Sequence, residues 1–279
     1  MMGNKGNVRS SLIRLLWHRI SEDDLPGLSA QLAYYFLLSL FPLLIVLFTL
    51  IPYIPIPQQD MLGIIREFAP VDAMQFIEKT INEIMRHRSG GLLSFGIIGT
   101  IWSASNGINA IVRAFNKAYN VPESRSFLVA RGMAILLTFG MIFIFLLALI
   151  LPIFGREIGQ FIFSQFGYSK LFLKLWNTLS VVVSAIILFV VFTGLYWIAP
   201  NVKFRCRSAF PGAAFATFGW IVSSLGFSFY VGNFSNYSVT YGSIGAIIVL
   251  MIWLYISAFI IILGGEINAF YSEKYRNNC

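Results

Sequence analysis

The chain has 279 residues, of which 57% are hydrophobic and only 11% charged, with 20 Lys and Arg against 12 Asp and Glu. A soluble domain carries about 25% charged residues, so this chain cannot cover itself with a polar surface and reads as an integral membrane protein. Its two cysteines, Cys206 and Cys279, supply neither a disulfide framework nor a metal motif.

Residues 1–29 form a polar N-terminal segment whose basic start is followed by no apolar core, so it does not read as a signal peptide. Residues 30–271 read as an all-α, polytopic domain of six transmembrane helices, and 272–279 as a short tail. The apolar windows fall near 30–51, 92–112, 133–153, 178–199, 211–231 and 243–265.

The first span carries Pro42 near its midpoint, which frees the carbonyl of Leu38 and predicts a kink, with Ser39 placed to compensate. Between the first two spans, Phe76, Ile77, Ile81, Ile84 and Met85 recur at helical spacing. That pattern predicts short amphipathic helices in the first outer loop.

The second span brings a polar line: Asn106, Asn109, Arg113, Asn116 and Asn120 follow three-and-four spacing. In lipid each amide wants a partner, so this face is expected to point into the protein. Two roles share that orientation, a transport path and polar glue between helices.

Between the third and fourth spans, residues 156–176 suit a second surface segment. The fifth span pairs small residues at Gly212 and Ala216 and at Gly219 and Ser223, a spacing that permits close helix packing. The sixth runs helical from about Ser243 to Tyr271 and ends in GGEINAF, with Glu266 about 13 Å from its midpoint at 1.5 Å per residue. That depth is the edge of the hydrocarbon core. Glu266 is therefore expected to lock the end of the bundle through a group on another helix, with Arg113 or Arg131 as basic partners. Asn268 is expected nearer the surface or helping to close that end.

Placing the N-terminus inside puts 13 basic residues on the cytoplasmic side and 7 outside, with acids split six and six. The positive-inside rule then places both termini in the cytoplasm. The basic residues are topology signals and headgroup contacts; no nucleic-acid partner is expected.

Five ordered motifs carry a family resemblance: AYYFLLSLFP (33–42), IWSASNGINAIVRAFNKAYNV (101–121), FPGA (210–213), YGSIGAIIVLMIWLY (241–255) and GGEINAF (264–270). Over residues 10–275 the chain resembles the YihY/BrkB family of bacterial inner-membrane proteins. The resemblance implies six membrane helices and cytoplasmic ends. Members have carried the label of a transfer-RNA-processing ribonuclease BN, and one branch is linked to resistance to serum killing.

The residues give the nuclease label no support. His18 and His87 fall on opposite sides of the expected membrane, and Glu22, Asp23 and Asp24 read as a helix start before Pro26. No catalytic, cofactor-binding or metal set emerges. The leading expectation is transport or export of a lipid-like or amphiphilic substrate among membrane lipids. The alternatives are an accessory protein of the envelope and, last, a membrane-embedded enzyme.

Overall fold

A computed structural model describes residues 18–50, 90–143, 169–202, 209–234 and 237–275, together with 62, 74, 78, 79 and 82. Every described regular element is a helix. After a short turn of helix over 18–22 come α1 (Leu25–Leu50), α2 (Gly90–Ala118), α3 (Phe127–Phe143), α4 (Ser169–Ile198), α5 (Ala209–Phe234) and α6 (Tyr237–Tyr275). The chain divides into two compact units, residues 1–35 with 105–279 and residues 36–104.

Four stretches are long and apolar enough to cross a membrane: Leu25–Val46, Gly90–Ala118, Ala209–Gly232 and Ile247–Glu273. Two shorter apolar helices, Phe127–Phe143 and Val182–Ile198, overlap the windows read as the third and fourth spans. Most of the first outer loop, with its amphipathic pattern, lies outside the described residues. Residues 169–176 belong to α4, so the later part of the expected surface segment continues straight into the apolar helix.

The helices turn apolar stripes outward. On α5, Phe218, Val222, Leu225 and Phe229 are exposed, and on α4 so are Val182, Ile186, Val190 and Trp197. Their three- and four-residue spacing makes each stripe one helix face, and contiguous exposed apolar area of this kind suits lipid rather than water. Hydroxyls within the helices are satisfied locally: Thr100, Thr138 and Thr193 each donate to the carbonyl four residues back.

In the unit of residues 36–104, α1 continues through Pro42 as one helix. Ser39 donates to the Phe36 carbonyl, at 2.7 Å, and so does not compensate Leu38. A Cβ built at Gly99 would stand 3.2 Å from the Pro42 ring, and one at Gly96 would stand 3.0 Å from Val46. The glycines of α2 thus receive the proline turn of α1.

In the larger unit α5 packs on α4 and α6. Gly212 abuts Gly264 and Asn268, Gly219 faces Ile260, and Trp220 and Phe227 stack on Trp253. Contacts that move back along α6 as they advance along α5 define an antiparallel pair.

Candidate functional site at the converging helix ends

Within the larger unit, one end collects the first turn of α1, the last turns of α2 and α4, the start of α5 and the last turns of α6. The sequence explains why the backbones come so close there. Gly264 lies against the Tyr196 hydroxyl of α4 and the Gly212 carbonyl of α5, leaving no room for a Cβ. A Cβ at Gly265 would stand 2.6 Å from the Phe115 ring of α2. The Tyr196 hydroxyl donates to the Ile261 carbonyl at 2.8 Å, and its ring meets Phe115 at a centroid distance of 5.1 Å.

Asn268 is fully buried, and its Oδ1 accepts from the Gly212 N–H at 2.7 Å. Gly212 lies in the first turn of α5, where N–H groups lack intrahelical acceptors. Asn268 therefore caps α5 from a neighbouring helix, and its surface-exposed alternative is overturned: the glycine contact brings the α5 end directly onto its side chain.

Glu266, one turn from that cap, is 1% exposed, and neither carboxylate oxygen accepts a hydrogen bond. Asp23, Arg19 and Lys117 are the charged groups around it. Arg19, on the 18–22 turn, comes within 3.7 Å of Oε2 while pairing with the more exposed Glu273 and reaching toward the Ala118 carbonyl at 3.5 Å. The basic neighbour is thus Arg19. Arg113 reaches Gln31 at 3.5 Å, and Arg131 donates to Asn106 Oδ1 at 2.7 Å. Sequence reading counted Arg19 only as a topology charge, because a partner 247 positions away leaves no local signal.

Beside this cluster is a second, well-satisfied network. Asn116 Oδ1 accepts from the Asn201 N–H, and its amide donates to Glu123. Arg125 grips Glu123 and reaches the Ala199 carbonyl, while the Asn201 amide reaches Ser124 and the Pro122 carbonyl. The Arg125 guanidinium holds the Glu123 carboxyl below its usual value, with burial opposing and Asn116 assisting. Asn120, at φ 51°, closes α2 in the left-handed conformation, with Val121 N–H donating to the Asn116 carbonyl.

The expected polar face of α2 therefore divides. Asn116 is buried and Asn106 half-buried with a partner; Asn109 is half-buried, Arg113 exposed, and Asn120 a helix cap. Ile108 and Ile111 are buried instead. The inward-pointing face is corrected: near a helix end a long Arg can reach outward, so polarity there does not dictate which side faces the core.

Residues 16–278 match the family profile described as Virulence factor BrkB. The chain belongs to the BrkB family. It is 52% identical to YfkH of Bacillus subtilis, named as a ribonuclease-like protein, over 95% of this chain and 96% of that one. It is 29% identical to a UPF0761 membrane protein of Aliivibrio salmonicida, over 95% and 84% of the two chains. A UPF0761 membrane protein of Haemophilus influenzae is 26% identical over 91% and 92%. No solved structure matches.

The BrkB profile spans both polar clusters, from the 18–22 turn to the end of α6. Among the described residues, no three His, Cys, Asp or Glu side chains group to hold a metal ion. The chemistry on offer at the BrkB chain's converging end is that of charge: a carboxylate out of water, an arginine shared between two acids, and helix ends tied by amides.

Proposed function

We propose that this BrkB-family chain is a six-span inner-membrane protein with both termini in the cytoplasm, transporting or exporting a lipid-like or amphiphilic substrate. Four long apolar helices and two shorter ones fit six crossings, and the basic residues favour that orientation. The observation that carries the transport reading is Glu266: a carboxylate 1% exposed with no hydrogen bond, at an end closed by a long ion pair. A purely structural end has reason to satisfy or remove such a charge; an end that opens has use for it.

The accessory reading has its own support in the glycine contacts of Gly212, Gly264 and Gly265, which interlock the helices at the same end. Reconstitution separates the two. Protein-containing vesicles should move fluorescent phospholipid analogues between leaflets faster than protein-free vesicles, and Glu266 variants should change that rate at equal protein content. Inactivity across lipid and small amphiphile panels would favour the accessory role.

A further inference from the structure

We infer that the 18–22 turn is a latch over the buried end of α6, held by Arg19 and hinged at Asp24. The turn has little apolar anchorage: His18, Ser21 and Glu22 are exposed, and Ile20 is only half-buried. The helix that follows is seated firmly, with Leu25, Ser29 and Leu32 at zero exposure. The boundary between a loose and a fixed element falls at Asp24.

Asp24 itself has φ 52°, a left-handed conformation that non-glycine residues adopt at a cost. It ends the short turn, donating its N–H to the Ser21 carbonyl, and its side chain accepts from the Gly27 N–H to begin α1. One residue thus terminates one helix and caps the next, so the chain can swing there without disturbing α1.

The forces on the closed latch nearly oppose one another. Arg19 holds it shut through Glu273, whose side chain is 66% exposed, and through contacts at 3.5 Å to Ala118 and 3.7 Å to Glu266. Exposed ion pairs are weak. Against them stands the Glu266 carboxylate, kept from water without a hydrogen bond. Opening hydrates that carboxylate and relaxes Asp24. The closed and open arrangements are therefore two states whose balance a change at Arg19 can tip, whether or not the protein transports.

Carbodiimide labelling reads the latch directly. The full chain in phospholipid vesicles is treated with dicyclohexylcarbodiimide, and labelled Glu266 is measured by peptide mass spectrometry with Glu22 as the exposed standard. Wild type should label Glu266 far more slowly than Glu22. Arg19→Gln should raise Glu266 labelling roughly fivefold, the effect of losing about one ion pair, whereas Arg19→Lys should stay near wild type. Glu273→Gln removes only the exposed anchor and should also raise labelling; it decides the matter if Arg19→Gln fails to fold. Unchanged labelling in the folded variants would overturn the latch, as would wild-type Glu266 labelling as fast as Glu22.

Discussion

Asn268 and Glu266 lie two residues apart on α6 and are both out of water, yet their substitutions should behave in opposite ways. Asn268→Leu removes the acceptor for a buried N–H and should cost about 1–3 kcal/mol. Asn268→Asp keeps the acceptor beside a helix N-terminus and should be milder. Glu266→Gln should stay within about 1 kcal/mol of wild type, since no hydrogen bond is lost and a buried charge is removed. Glu266→Leu should be no harsher, because Arg19 keeps Glu273; thermal unfolding in detergent measures all four. Glu123 makes the pH-dependent case. Its carboxyl is held below the ordinary 4.5 in the folded protein, so its stabilisation is present above that value and lost as pH falls through the depressed one. Wild type should therefore lose more stability than Glu123→Gln between about pH 6 and about pH 3. From sequence, Glu266 was legible as a boundary residue by helical depth. Arg19, Tyr196 and Asn201 were not, since each acts through a partner distant in sequence.

At the scale of helices, the small residues carry the firmest predictions. Gly212→Ala and Gly264→Ala drive a methyl into backbone or a packed side chain and should lower the yield of folded protein. Gly140→Ala and Gly226→Ala meet nothing within 4 Å and should be neutral or stabilising by up to about 1 kcal/mol through helix propensity. The small-residue spacing of the fifth span was readable as close packing, and the α5–α6 contact at Gly212 is of that kind. The orientation of α2 was not readable. Three-and-four spacing identifies a face but not its neighbour, and near a helix end a polar face can meet water as well as protein. With Ile111 at 1% exposure and Arg113 exposed, Ile111→Ala should cost about 2–5 kcal/mol. Arg113→Ala should stay near about 0.5 kcal/mol. Parallel melting curves of the two variants check the reversal.

For the molecule as a whole, composition announced helices in lipid, and the exposed apolar stripes of α4 and α5 agree with it. The contacts at the converging end add what no hydropathy window contains: the start of α1, the ends of α2 and α4, the start of α5 and the end of α6 belong to one side. Basic residues crowd the segments that join them, including Lys203, Arg205 and Arg207 between α4 and α5. The central claim is that this side faces the cytoplasm in a six-span chain. Cys206, in that basic segment, tests it most directly, with Cys279 replaced by serine and a membrane-impermeant maleimide applied to sealed cells. The account predicts no labelling of Cys206 until the inner membrane is permeabilised, and labelling afterwards. Labelling of Cys206 from outside intact cells would contradict it.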